Sequence, residues 1–272
     1  MSPDVTSTIS LGVAPSIESL KDRFLAGHPL IDPARMAGSL AVVFATGVGA
    51  DVREVVLDVL DNSQPVARFN ARPGVTPDLV AGGLRRSYWM DVDVDARAPR
   101  LRRVRLPRAL MESDAVVGVA DLRGMGKTRP LIALGLWAPL AAPVQRIGSL
   151  ITGAREGLTA EIGLAIEPAA LVVVMRISAP GPLVGIVSSD PIATELAALA
   201  VWQSRLPSSI DLPGPWEDPL VQRATELGLG VSQPSQLGVT MWFSEDLSGD
   251  EVVASQGRLA GALSLIGVDI SG

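Results

Sequence analysis

The chain of 272 residues contains no cysteine and a single histidine, and these absences exclude several classes of function. Without cysteine there is no disulfide, no iron–sulphur cluster, no cysteine-ligated zinc and no thiol nucleophile. With only His28, sites that need two histidines are excluded, and a Ser–His–Asp triad would have to use His28 itself. The remaining chemistry is that of carboxylates, hydroxyls, Lys, Arg and the backbone. We therefore expect no metal and no cofactor.

Long apolar runs are also missing. The longest nearly apolar stretch, residues 131–143, is interrupted by two prolines, whereas a membrane-spanning helix needs about 20 apolar residues. The first fifteen residues lack the basic start and apolar core of a signal peptide. We therefore expect no membrane association. A cytoplasmic location is expected as well, because a cysteine-free chain suits a reducing compartment.

The net charge of −6 argues against nucleic-acid binding. The charge is unevenly distributed, since residues 85–129 contain eleven basic and six acidic residues and so carry +5. Such a local positive field could attract a small anion. The alternative is a solvated strand whose charges pair with one another.

Apolar strand patterns alternate with helical patterns along the chain. Buried strands are predicted at residues 39–46, 115–120, 170–177 and 183–188, and the clearest helices at 51–60 and 190–202. This order predicts an α/β fold with three layers, in which a largely parallel sheet is flanked by helices. Residues 1–16 are expected to be a loose tail within an N-terminal segment 1–38, followed by a single domain over 39–272. His28, in a loop bounded by glycine and proline, is expected to be exposed.

The first candidate motif is Thr46-Gly47-Val48-Gly49-Ala50-Asp51, between a buried strand and a helix. Two glycines at this position can bring backbone N–H groups close to an anion. A dinucleotide-binding fingerprint would need a third glycine where Val52 stands. The alternative is an ordinary tight turn.

The second motif, Arg123-Gly124-Met125-Gly126-Lys127-Thr128, has the Gly-Lys-Thr ending of a P-loop and follows a buried strand. A P-loop would have its first glycine at position 121, which is occupied by Asp121. A looser anion site, made by the glycine N–H groups with Lys127 and Arg123, remains open beside a plain solvated loop.

The third motif, Ser188-Ser189-Asp190-Pro191, ends a strand and begins a helix. Open α/β sheets bind ligands outside the carboxyl ends of their strands. Asp190 also suits the N-cap of the following helix, which would explain it without a function. If the protein is an enzyme, Asp190 or Glu195 is the candidate for proton transfer.

Five segments follow one another as they do in a known family: residues 106–117, 121–123, 131–138, 167–174 and 186–195. Together they resemble domain-of-unknown-function family 362, whose Ser/Ala-x-Asp-Pro-Val-Ala-x-Asp element corresponds to residues 188–195. The resemblance spans roughly residues 40–240 and is most specific over 106–203. It implies an α/β domain but no general activity.

The chain departs from that family in its polar element. Arg123 replaces a lysine, Gly124 and Met125 stand at threonine and histidine positions, and Glu195 replaces an aspartate. The family often accompanies iron–sulphur modules, which a cysteine-free chain cannot hold. These departures favour a chain without the family's redox chemistry.

The leading expectation is therefore a domain that binds a small anionic metabolite at the carboxyl ends of its strands. Two alternatives are a degenerate, non-catalytic partner subunit, which includes self-association, and a phosphate or nucleotide binder that uses residues 123–128. The predicted ligand-binding residues lie in the three motifs: Gly47, Gly49, Arg123, Gly124, Gly126, Lys127, Thr128, Ser188, Ser189 and Asp190.

Overall fold

A computed structural model of the chain describes residues 7–31, 38–45, 47–60, 66–71, 89–124, 129–130, 132–141, 155–178 and 181–270. Gly126, Lys127 and Thr128 lie outside these ranges. So does a helix predicted from the sequence at residues 76–86.

A seven-stranded sheet forms the centre of the fold, in the order β3-β2-β6-β7-β8-β1-β9. A separate hairpin pairs β4 with β5. The strands are β1 (Ser7–Ala14), β2 (Leu40–Ala45), β3 (Val66–Ala71), β4 (Trp89–Asp93), β5 (Arg103–Pro107), β6 (Ala115–Asp121), β7 (Ala170–Arg176), β8 (Leu183–Ser188) and β9 (Leu237–Phe243).

Helices flank this sheet, so the predicted α/β class with a mostly parallel sheet is confirmed. For residues 130–142 the sequence predicts a helix or a broken helix, and the described part of this stretch contains two 3-10 turns, Leu134–Leu136 and Ala138–Leu140. For residues 249–265 it predicts a mixed segment, and the structure has one helix at Gly249–Ser264. None of the described helices is long and apolar enough to cross a membrane. The helices are α1 (Ile17–Leu20), which continues as a π-helix (Lys21–Leu25), α2 (Ala50–Leu60), α3 (Arg108–Met111), α4 (Arg155–Gly163), α5 (Pro191–Ser204), α6 (Pro219–Glu226) and α7 (Gly249–Ser264).

Strand β8 runs against the six other strands of the sheet. It pairs antiparallel with both of its neighbours, β7 and β1, while the remaining pairings are parallel. We call the edge where the six parallel strands end the carboxyl edge, and the edge where they begin the amino edge. Because β8 is reversed, Ser188 at its end lies at the amino edge, opposite Leu171 near the start of β7.

Two glycines let the first helical segment lie directly on the sheet. Gly12 of β1 and Gly185 of β8 are paired across the strands. A Cβ atom at Gly12 would meet the ring of Phe24, and one at Gly185 would meet the side chains of Leu20 and Phe24. The absence of side chains here therefore makes room for α1 and the π-helix.

Helix α5 covers the opposite face of the same strands. It contacts β7, β8 and β1, and α1 already occupies the glycine-lined face of β8 and β1. Residues 192–202 of α5 are all buried, because the sheet lies on one side of the helix and α6 and α7 pack on its other sides. This explains why the helix is apolar all round.

The loose tail predicted at residues 1–16 is wrong for Ser7–Ala14, which forms β1. This strand is hydrogen-bonded between β8 and β9 inside the sheet. Its second half is buried, whereas its first residues are polar and partly exposed, and this polar start obscured the strand in the sequence. The domain boundary predicted between residues 38 and 39 therefore falls between β1 and β2, which belong to the same sheet.

We expect Gly12→Ala to lower the free energy of unfolding by about 1–3 kcal/mol, because the added methyl group must displace Phe24. Gly257→Ala is the matched control. Gly257 lies within α7 and has open space at its Cβ position, so alanine should raise stability by about 0.5–1 kcal/mol. Urea unfolding measures both. Equal stability of Gly12→Ala and wild type would contradict the close approach of the π-helix to β1.

Candidate functional site

At the carboxyl edge, the turn between β2 and α2 brings a backbone N–H group to a carboxylate of the protein itself. Gly47 adopts a φ of +84°, which favours glycine. The N–H of Gly49 donates to Asp121 Oδ2 at 3.0 Å. The Asp121 carboxylate thus occupies the position at which a bound anion was expected.

Arg123 is held between two carboxylates. Its Nη1 and Nη2 donate to Asp51 at 2.6 and 2.7 Å, and its Nε and Nη2 donate to Asp121 at 3.0 and 2.8 Å. The Arg123 guanidinium lowers the pKa of Asp51 to about 2. The three side chains together carry −1, so this cluster does not itself attract an anion.

The basic stretch of the sequence is largely self-paired on the β4–β5 hairpin. Asp91 stands opposite Arg105, and Asp93 opposite Arg103, with ion pairs at 2.8 and 2.9 Å. Cross-strand pairs of opposite charge are a usual feature of exposed antiparallel strands. The structure therefore agrees with the alternative of a solvated, self-paired strand over these residues.

The described parts of the three predicted motifs do not meet at one site. Gly47, Gly49 and Arg123 lie at the carboxyl edge, whereas Ser188, Ser189 and Asp190 lie at the amino edge, because β8 is antiparallel. Residues 188–190 lie at the carboxyl end of their own strand, β8, as predicted, but the expectation that they lie beside Gly47, Gly49 and Arg123 is wrong. Gly124 follows Arg123 at the carboxyl edge.

Asp190 caps α5 as predicted and joins three parts of the amino edge. Its Oδ1 accepts from the N–H of Ala193 at 2.9 Å, and its Oδ2 accepts from the N–H of Val231 at 2.9 Å. The Ser7 hydroxyl donates to it as well. Burial raises the pKa of Asp190, and the N–H donors oppose this shift.

The two serines before Asp190 differ in exposure. Ser188 is fully buried and donates to the carbonyl of Thr8 at 3.0 Å, while Ser189 is exposed.

Glu195, the second candidate for proton transfer, is fully buried in an ion-pair network. Arg129 donates to Glu195 at 2.9 Å and to both oxygens of Asp218 at 2.6 and 2.9 Å. The backbone N–H of Leu134 donates to the other oxygen of Glu195 at 2.9 Å. Burial raises the pKa of Glu195, against the attraction of Arg129. The network joins α5, α6 and the segment after Arg129, so we assign Glu195 a structural role.

A cleft of about 710 Å³ opens at the amino edge. It is bordered by the start of β1, the loop that contains His28, the residues before β7 and the start of α5. Apolar walls come from residues such as Leu30, Leu164 and Leu229. Its volume is in the range of small-molecule sites.

His28 lines this cleft and is only 7% exposed, so the expectation of an exposed loop histidine is wrong. The N–H of Leu30 donates to its Nδ1 at 3.2 Å. Because Nδ1 accepts, the neutral ring carries its proton on Nε2. Burial lowers the pKa of His28, which favours this neutral form. No described residue accepts a hydrogen bond from Nε2.

This tautomer argues against acyl-transfer chemistry of the Ser–His–Asp type. In such a triad the Nδ1–H of the histidine donates to a carboxylate, and Nε2 takes the proton of the serine. Here Nδ1 accepts from a backbone N–H. The arrangement suits a hydrogen-bond donor in a binding cleft.

Among the described residues no group of three or more acidic or histidine side chains is placed to hold a metal.

Comparison of the chain with protein-family models, with curated proteins and with solved structures finds no match. The resemblance to domain-of-unknown-function family 362 therefore stays a prediction.

We expect Asp121→Ala to lower the free energy of unfolding by about 1–3 kcal/mol, because it leaves the N–H of Gly49 and part of Arg123 without an acceptor. The same change should create an anion site. Inorganic phosphate at matched ionic strength should then raise the melting temperature of the variant and leave that of the wild type unchanged. If phosphate raises both equally, the carboxylate does not occupy an anion position.

Glu195→Ala should lower the free energy of unfolding by about 1–3 kcal/mol, because the buried N–H of Leu134 loses its acceptor, whereas Arg129 keeps its pair with Asp218. Glu226→Ala removes only an exposed partner of Arg223 and should change stability little. Chemical denaturation measures both variants. A Glu195→Ala protein as stable as the wild type would contradict the structural role.

Proposed function

We propose that this protein binds a small polar metabolite in the amino-edge cleft. The observation that carries the proposal is the Nε2–H group of His28. It belongs to a side chain that is only 7% exposed and lines the cleft, and it has no acceptor among the described residues. A buried polar group without a partner costs about 1–3 kcal/mol, and a ligand that supplies an acceptor removes this cost.

The surroundings of His28 support a binding role. Hydroxyl groups of Ser7, Thr8 and Ser189 and the carboxylate of Glu167 lie among the residues that line the cleft, together with its apolar walls. A mostly preformed cavity with a few polar groups is the usual form of a small-molecule site. Among the described residues of the cleft, no hydroxyl donates a hydrogen bond to His28 as its base, which favours binding over covalent catalysis.

The proposed site lies at the amino edge, away from the anion position predicted at the carboxyl edge. There Arg123 is already neutralised by Asp51 and Asp121. Anion or nucleotide binding through Gly126, Lys127 and Thr128 stays a prediction, as does the partner-subunit alternative. The proposal includes the cytoplasmic location expected from the sequence.

The test is a thermal-melting screen with sugars, amines, carboxylates and phosphates. A ligand present at 100 times its Kd stabilises the folded state by about 2.7 kcal/mol, which corresponds to a rise of several degrees in Tm. His28→Phe should abolish this rise, because phenylalanine keeps the ring but removes the donor. His28→Gln should retain part of it, since the amide can both accept from Leu30 and donate to a ligand.

Lys127→Ala is the control that distinguishes the proposed cleft from the anion site predicted at residues 123–128. It should leave the ligand-induced rise in Tm unchanged. Loss of the rise in Lys127→Ala but not in His28→Phe would favour the anion site predicted at residues 123–128 instead. No rise with any compound, together with a dimer or a bound protein in size-exclusion chromatography, would favour the partner-subunit alternative.

A further inference from the structure

The charges around the amino-edge cleft are not balanced. Four ionisable residues line it among those that the structure describes: His28, Arg97, Glu167 and Asp190. His28 is buried and contributes a neutral donor. The charge that a ligand meets is therefore set by Arg97 and the two carboxylates.

The charge of Arg97 is neutralised by a neighbour. Its Nε and Nη2 donate to the two carboxylate oxygens of Asp95 at 3.0 and 3.1 Å. Its Nη1 donates to the carbonyls of Leu227 and Gly228 at 2.7 and 3.3 Å. An arginine held in this way fixes the cleft wall and offers no net charge to an incoming anion.

Neither carboxylate forms an ion pair with a cationic side chain among the described residues. Asp190 accepts hydrogen bonds from backbone N–H groups and from the hydroxyl of Ser7; these are dipoles and leave its charge in place. Glu167 is exposed and has no ion pair or hydrogen bond within the described ranges. The cleft thus combines a negative field with a buried neutral donor, His28.

Provided that the cleft is the binding site proposed above, we infer that its ligand is a small amine that also carries a hydroxyl or carbonyl oxygen. The ammonium group pairs with Glu167 at the mouth of the cleft, and the oxygen accepts from Nε2–H of His28. The uncompensated carboxylates repel phosphates and carboxylates of the same size. This replaces the anionic ligand expected from the sequence.

The single histidine allows a direct test on the whole protein. Its ring protons give one distinct set of nuclear magnetic resonance signals, which a nearby nitroxide broadens. The probes are two nitroxides of equal size, the cationic 4-amino-TEMPO and the anionic 4-carboxy-TEMPO. We expect the cationic probe to broaden the His28 signals severalfold more than the anionic one, because the local field concentrates cations.

Variants of two exposed glutamates identify the source of the field. Glu167→Gln should bring the ratio of the two broadenings towards one. Glu245→Gln makes the same change of charge beyond the end of β9, at the opposite edge, and should leave the ratio unchanged. Equal broadening by the two probes, stronger broadening by the anion, or a ratio that Glu167→Gln does not alter would overturn the inference.

Failure of this inference and failure of the proposed function give different results. If anions alone raise Tm in the melting screen and His28→Phe abolishes that rise, the cleft binds ligands but the inferred amine is wrong. If the cationic probe is preferred but no compound in the screen raises Tm, the charge preference holds and the binding function is wrong.

Discussion

The tight connection between β7 and β8 determines where the polar groups of this protein can meet. Only six residues separate Arg176 from Leu183, and a parallel crossover needs about a dozen or more. Strand β8 must therefore turn back beside β7. This reversal carries Ser188 and Asp190 to the amino edge and starts α5 there, so that its N-terminus borders the cleft instead of facing Arg123.

Buried carboxylates hold the loops around this sheet in place. Asp121 fixes the turn before α2, Glu195 fixes the segment after Arg129, and Glu161 accepts from the backbone N–H of Leu101 beside the β4–β5 hairpin. Each satisfies backbone donors that would otherwise be buried without partners. Acidic residues that look available for chemistry in the sequence are thus used for structure. Because Asp121 and Asp51 form ion pairs with Arg123, its guanidinium is not free to hold a ligand.

The sequence predicted the fold class and most elements, because apolar periodicity and caps are local signals. Asp190 before Pro191 specified the start of α5, and both the strand at β2 and the helix at α2 were recognised. The predictions that were wrong concern features that depend on pairing between distant segments of the chain. The polar residues Ser7 and Thr8 concealed a strand that is buried only by β8 and β9. The connection after Arg176 is too short for a parallel crossover, so it indicates that β8 is antiparallel to β7. From this feature the sequence could have placed Ser188 and Asp190 at the opposite edge of the sheet from Arg123.

His28 shows why the candidate site could not be located from the sequence. Its burial depends on residues far away in the chain, which close over the loop after the π-helix. In isolation, a Gly-His-Pro segment has the pattern of an exposed turn. In the fold, Phe24 packs against the imidazole edge-on, with ring centroids 5.5 Å apart, and the N–H of Leu30 fixes its tautomer. The chain has no other histidine and no cysteine, so His28 is its one imidazole. Burial lowers the pKa of His28 and so favours its neutral form, and in the function proposed above this neutral ring is the hydrogen-bond donor of the cleft.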